Sequence, residues 1–500
     1  MGMAIKRGII IVAGLLLQIL LSLAVALFFV DKWAIIHVVY NLVGLLITLY
    51  LIKDSKNYSY TLPWIVILLL FPLIGGLLYI ILGGNKYHSK TLKSIRKHEK
   101  DARLYLRQEE EISESLKKHS PVRYLTKYAG YPATSNNLVD YYPVGEQAFK
   151  VMLQELQKAK KFIFFEYFIV ARGKMWNSIL EILKQKAKEG VEVRVMYDDL
   201  GCMTLLHPKY PQELEKMGIK CVCFNRLGAF AGVIMNNRDH RKMLIIDGKI
   251  AFSGGINIAD EYINVGSKYG HWKDNGIRIV GEAVWNYTVM FLTMWNSFRD
   301  EDDDYTKFKY NFKKDKKQQP GLVIPYGDSP LDNEITGEDV YLNIIGQAND
   351  YIYIFTPYLI IDTDMINALT LAAKRGVDVR LIIPGIPDKK LVYTVSESYV
   401  EPLVAGGVKV YRYTPGFVHA KVFVSDDNVA TVGTINLDYR SLYLHFECGC
   451  YLQDVPVIAE IKQDLVDAMT KSSLITKQEA RPHFFKAFWQ ALLRLVAPLM

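Results

Sequence analysis

Residues 239–257 read DHRKMLIIDGKIAFSGGIN, and residues 418–436 read VHAKVFVSDDNVATVGTIN. The two segments align without a gap. His240 falls on His419, Lys242 on Lys421, Asp247 on Asp426, Gly254 on Gly433 and Asn257 on Asn436. Both satisfy H-x-K-x4-D-x6-G-x2-N. The likeness continues upstream, where KFIFFEYFIV (161–170) matches YIYIFTPYLI (351–360) and EGVEVRV (189–195) matches RGVDVRL (375–381). A period of this kind marks an internal duplication, here of a unit of roughly 130–150 residues. A chain of 500 residues is too long for one ordinary core. Within each copy, strand-like runs alternate with helical runs such as 176–188 and 365–374. Each helical run stops near a glycine, Gly190 or Gly376. That alternation predicts an α/β fold of two duplicated lobes, each with a central sheet: 131–300 and 321–480, joined by the polar stretch 301–320.

Along a strand, residues i and i+2 face the same way. His240 and Lys242 therefore share a face, and so do His419 and Lys421. Two lobes set face to face would gather two imidazoles and two ammoniums in one pocket. Such a pocket suits a phosphodiester, whose oxygens the lysines neutralise as charge moves in the transition state. One neutral histidine can attack phosphorus and form a covalent phosphohistidine. The other can protonate the leaving alkoxide and then deprotonate the incoming hydroxyl. The lysines supply the positive charge, so neither a metal nor a cofactor is expected. Asn257 and Asn436 are expected on phosphate oxygens. Glu261 and Glu447, which follow the two motifs, are expected to orient the histidines through their second nitrogens. Asp247 and Asp426 complete the motifs and are counted in the catalytic set, although they are expected to brace the motif by local hydrogen bonds rather than to touch substrate.

The first 84 residues read as membrane sequence. Stretches 8–30, 33–52 and 62–84 are apolar, and 8–30 carries no charge. At 1.5 Å per residue, 8–30 alone reaches about 34 Å, enough for a bilayer core. Lys6, Arg7 and Ala24-Val25-Ala26 also resemble a cleavable leader, but apolar sequence continues past them. The basic run after the third stretch, from Lys86 to Lys100, predicts a juxtamembrane tether over 85–130 and a catalytic part on the cytoplasmic face. At the other end, 481–500 pairs aromatic and aliphatic residues with few charges and predicts an amphipathic helix at the interface. The net charge of +8 favours anionic partners. Five cysteines, four of them in two C-x-C pairs, form neither a disulfide framework nor a zinc spacing.

The doubled H-x-K-x4-D resembles the phospholipase D superfamily. NRDHRKMLIIDGKIAFSGGINIADEY (237–262), GHWKDNGIRIVGEAV (270–284), FEYFIV (165–170), VRVMYDDLG (193–201), FTPYLI (355–360) and GTINLDYRS (433–441) resemble the bacterial cardiolipin synthases in particular. The resemblance runs from about residue 33 to the end. It implies a two-lobed α/β fold with one active site at the lobe interface, behind N-terminal transmembrane helices. It also implies that His240 is the nucleophile and His419 the general acid/base, with Lys242 and Lys421 on the phosphate. The implied reaction joins two phosphatidylglycerols into cardiolipin and releases glycerol, in a membrane of anionic lipids. The stretch 8–30 departs from the expected two-helix pattern, and Asp239 stands where such proteins often have Asn. A hydrolase passing the phosphatidyl group to water would use the same residues. A nuclease would use the same pocket, but membrane sequence argues against nucleic acid.

Overall fold

A computed structural model describes residues 33–54, 58–71, 75–76, 79, 90–108, 119–226, 237–266, 268–299, 303–312 and 320–497. The chain divides into two compact units. One comprises 1–87, 230–233 and 492–500, and the other 88–229 and 234–491.

In the smaller unit, helices Trp33–Asp54 and Tyr58–Leu70 are almost wholly apolar. Leu51, Trp64 and Leu68 are buried together, with Tyr79 edge-on to Trp64 at 5.4 Å. Ile35, Val38, Leu42, Leu46 and Leu49 are exposed. Among the described residues no helix is long and apolar enough to cross a membrane. The expected span 8–30 lies outside the described residues, as does most of 62–84 beyond Leu70.

The larger unit holds both lobes. The first contributes strands β1 (Asn137–Tyr142), β2 (Phe162–Tyr167), β3 (Glu192–Asp198), β4 (Lys220–Phe224), β5 (Lys242–Ile246), β6 (Ile250–Gly254), β7 (His271–Lys273) and β8 (Gly276–Gly281). The second contributes β9 (Leu322–Asp328), β10 (Tyr351–Phe355), β11 (Leu359–Ile360), β12 (Asp378–Pro384), β13 (Lys409–Tyr413), β14 (Gly416–Val418), β15 (Val422–Ser425), β16 (Val429–Gly433), β17 (Leu437–Asp438), β18 (Glu447–Gln453) and β19 (Ser472–Leu474). Sheet one runs β1-β8-β6-β5-β2-β3-β4, and sheet two runs β9-β18-β16-β15-β10-β12-β13-β19. The orders are the same apart from the extra edge strand β19. So are the directions: β2, β3 and β4 are mutually parallel, as are β10, β12 and β13, and the other neighbours pair antiparallel. The duplication read from the motifs is a duplication of the whole sheet.

The central strands β2 and β10 are buried along their full length, so they read as apolar runs without alternation, broken only by buried Glu166 in β2. One core joins the two sheets. It holds Ile245, Ile277 and Met243 of the first sheet with Val422, Val432 and Cys448 of the second. Helix Val284–Arg299 lies within it, apolar on nearly every side. Only some of its polar groups are satisfied, and both side-chain polar atoms of buried Asn296 have no partner among the described residues. Thr288 and Thr293 donate to the carbonyls of Val284 and Val289, and Asn286 donates to those of Pro132 and Pro325.

Two stretches read as connections pack against the lobes where they are described. Within the tether 85–130, helix Lys90–Ala102 buries Ile95 against the core, and His98 reaches Ser297 at 3.2 Å. Helix Ser120–Lys127 buries Pro121, Val122 and Leu125, and its Tyr124 hydroxyl donates to Asp339 of the second lobe at 2.7 Å. Within the expected linker, Tyr305 and Phe308 are buried, and Asp303 pairs with buried Arg194 at 2.6 Å. Both stretches are rich in charge. Their few apolar residues, spaced to fall on one side, decide the packing.

Candidate active site

His240 stands just before β5 and His419 just before β15, as their place in the repeat requires. Each is held by the opposite lobe. The His240 amide donates to the Phe446 carbonyl at 2.9 Å, and the His419 amide donates to the Lys273 carbonyl at 2.7 Å. The residue after each of those carbonyls carries a carboxylate that meets the same histidine. Glu447 Oε1 lies 2.8 Å from His240 Nδ1, and Asp274 Oδ2 lies 2.7 Å from His419 Nδ1. Parallel pairing of β7 with β14, and an isolated bridge between Asp239 and Phe446, fix this crossed arrangement in the backbone. The two halves of the site are thus related by an approximate two-fold axis, and each is incomplete without the other lobe.

Lys242 and Lys421 are 1% exposed. The Lys242 ammonium donates to the His240 carbonyl at 2.6 Å, and the Lys421 ammonium donates to the His419 carbonyl. Burial presses Lys242 down to about 8, against the pull of Glu447. Burial presses Lys421 down to about 7, with Asp274 opposing and Lys242 adding to the push. Burial and Lys421 push His419 down to about 4, and burial and Lys242 hold His240 well below its ordinary value. Each histidine also feels the lysine of the other lobe. Four groups able to carry positive charge thus share one desolvated space and suppress one another's charge. An anion entering that space would relieve all four.

The two carboxylates differ. Burial favours the neutral form of Asp274, but His419, Lys421 and the Asn275 amide outweigh it and keep the carboxyl below its usual range. Burial pushes Glu447 up despite Lys242 and the Thr434 hydroxyl, which donates to Oε2 at 2.5 Å. The sequence explains part of this difference. Thr434 supports Glu447, and its counterpart in the repeat is Gly255. A Cβ at Gly255 would stand 2.0 Å from Asp274 Oδ1, so only glycine leaves that carboxylate its place. Aromatic rings wall the histidines, with Phe168 edge-on to His240 at 4.9 Å and Tyr262 edge-on to His419 at 5.2 Å.

Several expected positions are corrected. Glu261 is exposed in a 3-10 turn, Asp260–Ile263, and Asp274 takes the place beside His419. The repeat pointed to the wrong acid because Asp274 lies 17 residues after Asn257 whereas Glu447 lies 11 after Asn436. Asp247 and Asp426 are not beside the histidines. They sit at the far ends of β5 and β15, about 16 Å along the strand from the lysines at roughly 3.3 Å per residue. There Asp247 accepts the amides of Lys160, Lys161 and Phe162, and Asp426 those of Asn349, Asp350 and Tyr351. Both adopt positive φ, 55° and 51°, as the tight turn requires. Asn257 is committed to protein, accepting from the Ile169 amide and donating to the Tyr262 hydroxyl. Asn436 is buried with its Oδ1 unpartnered.

The profile of the family described as cardiolipin synthase, PLD-like domain, matches residues 152–292 and 341–469, one match per lobe. The chain belongs to this family. A second profile, phospholipase D-nuclease N-terminal, matches 33–84. Among family relatives, cardiolipin synthase 1 of Staphylococcus aureus (strain COL) is 33% identical, over 92% of this chain and 95% of its own length. The cardiolipin synthase of Alkalihalophilus pseudofirmus is 32% identical over 94% and 95%. An uncharacterized protein of Streptococcus mutans is 44% identical over 90% and 99%. Among solved structures, the phosphatidylserine synthase of Haemophilus influenzae shares the fold, with a TM-score of 0.57, 15% identity, and coverage of 76% of this chain and 98% of that one.

Proposed function

We propose that this chain is a cardiolipin synthase that moves a phosphatidyl group between two phosphatidylglycerol molecules through a phosphohistidine. The observation that carries the reading is the crossed pair of histidine–carboxylate contacts set around two buried lysines. With Nδ1–H turned to Glu447, His240 presents the lone pair of Nε2 to phosphorus. That bond forms as the bond to the glycerol oxygen breaks, and the departing alkoxide takes the proton of His419 Nε2. The second phosphatidylglycerol then gives its hydroxyl proton to His419. Its oxygen bonds to phosphorus, and His240 leaves. The products are cardiolipin and glycerol.

An ionised Asp274 beside His419 supports the acid/base role for that histidine, because a fixed negative charge stabilises the imidazolium formed in each cycle. The phosphodiester brings the charge that the empty site lacks and so restores protons to the lysines and to His419. Buried Lys242 and Lys421 then stabilise the charge on the transferring phosphoryl oxygens. Asn436, with a polar atom still to satisfy, fits a place near the bound phosphate.

Both substrates are lipids, so the site must work against a bilayer. The apolar first 84 residues, matched by the N-terminal profile over 33–84, fit attachment to the bilayer, with the catalytic unit on the cytoplasmic face. The C-terminal helix Phe484–Val496 fits a second attachment. Gln490 and Lys486 tie it to Thr394 and Glu397, while Phe484, Phe485, Phe488 and Trp489 remain exposed. The test is product analysis by mass spectrometry, using purified protein and phosphatidylglycerol as the only lipid. Cardiolipin and glycerol in equal amounts are expected, and phosphatidic acid without cardiolipin would make the chain a hydrolase.

A further inference from the structure

His445 lies two residues before Glu447 and is 9% exposed, and among the described residues neither of its ring nitrogens has a hydrogen-bond partner. The transfer reaction gives it no task. Two unsatisfied nitrogens on one buried ring are costly, and a site that tolerates them invites a ligand. The His445 ring centre is 5.5 Å from that of His240, and its Nδ1 is 3.8 Å from Glu447 Oε1. That same oxygen is 2.8 Å from His240 Nδ1. One ligand atom from each of His240, His445 and Glu447 can be chosen so that all three lie within 4.8 Å of one another.

We propose that His240, His445 and Glu447 form a site for a borderline divalent cation such as Zn2+, and that occupancy switches the enzyme off. Two imidazoles and a carboxylate, with a water in the fourth position, are an ordinary zinc set. Tetrahedral bonds of about 2.0–2.1 Å place ligand atoms about 3.3 Å apart, so the His445 ring need close by only about 1.5 Å. Arg440, Arg238, Lys242 and Lys389 act on His445, and Lys242 and Lys421 act on His240; all of them oppose a cation, so binding is weaker than at a closed structural site. The chemistry of inhibition follows from the ring. The metal bonds to His240 Nδ1, to one nitrogen of His445 and to Glu447 Oε1, displacing waters from its own shell. The N–H bond at Nδ1 breaks and its proton passes through water to Nε2. The Nε2 lone pair that would attack phosphorus is then used up. No oxidation state changes. The inhibitory half of the proposal rests on His240 acting as the nucleophile, whereas the binding half does not.

The experiment uses the full chain in detergent, without lipid, titrated with Co2+ and followed by visible absorption. A tetrahedral cobalt band that Zn2+ displaces is expected. The variant His445→Asn should lose the band, keep its turnover within about threefold in metal-free buffer, and need at least about 10–100-fold more Zn2+ for half inhibition. EDTA should restore wild-type turnover. His445→Gln serves as a second variant should the first fold poorly. A wild-type protein without the band, or a His445→Asn protein equally sensitive to Zn2+, overturns the site. A cobalt band that depends on His445 but leaves turnover untouched upholds the ligand set and overturns the inhibitory step, and with it the nucleophilic role of His240.

Discussion

Exchanging Asp274 for asparagine separates a catalytic carboxylate from a merely neighbouring one. Asp274 Oδ1 accepts the backbone amide of Asn275 at 2.8 Å, while Oδ2 meets His419 Nδ1 at 2.7 Å. A backbone N–H cannot turn round. In Asp274→Asn the amide oxygen must therefore stay with Asn275, and the amide NH2 must point at His419. His419 Nδ1 then becomes an acceptor and its proton moves to Nε2. A neutral ring in that tautomer is a poor acid for the leaving alkoxide and cannot accept a proton from the second hydroxyl. Carboxylate-to-amide exchange beside a catalytic histidine lowers turnover by about 10⁴-fold, or about 5.4 kcal/mol of barrier at 1.36 kcal/mol per tenfold. Glu447→Gln behaves differently. Its oxygen can stay on His240, because the Thr434 hydroxyl can turn from the side chain to the Cys448 carbonyl 3.0 Å away. Its loss should be smaller, about 10–100-fold, reflecting charge without tautomer. The assay is the initial rate of cardiolipin formation in detergent micelles, with circular dichroism and melting to confirm that both variants fold. Turnover of Asp274→Asn above a tenth of wild type, or the reverse order of the two variants, would refute the reasoning.

Asp247→Ala should leave the turnover of folded protein unchanged and lower stability by about 2–4 kcal/mol, since three backbone amides lose a charged acceptor, two of them at the surface. Denaturant unfolding beside kcat measures both. Gly255→Ala should cost about 100-fold in turnover with little loss of melting temperature, because the new Cβ displaces Asp274. The lysines give a pH dependence with a definite sign. Burial lowers Lys421 to about 7 and Lys242 to about 8, so the empty site loses positive charge as pH rises through this range. A bound phosphodiester must then bring protons with it, and KM for phosphatidylglycerol should rise about tenfold or more between pH 7 and 9. A flat KM over that interval would show that the lysines remain charged without substrate.

Much of this molecule could be read from the repeat. Two copies of one motif implied two like lobes, each with a central sheet, and the structure has two sheets of matching order, an order that the motifs alone do not give. Glu447 was also legible, although its histidine lies in the other lobe, which no single-lobe pattern reveals. Asp274 escaped because the lobes place their acids at unequal distances from the motif. Its signal was the polar run HWKDN at 271–275, whose Lys273, Asp274 and Asn275 are buried at the end of β7 and just after it. The motif aspartates brace the motif by local hydrogen bonds, the role their positions favoured over contact with substrate. Repetition marks whatever both lobes need, and both need Asp247 or Asp426 to close the turn after β5 or β15. The packing of the tether and linker was not legible in their charge, because a few apolar side chains, Ile95, Tyr305 and Phe308, decide it.

The central claim is that one imidazole carries the phosphatidyl group while the other moves protons. Rapid acid-free quenching of the full-length enzyme during turnover of phosphatidylglycerol, followed by proteolysis and mass spectrometry, tests it. The account predicts a phosphatidyl adduct on the peptide bearing His240 and none on that bearing His419. An adduct on His419, or turnover with no enzyme-bound lipid phosphate on either, would contradict it.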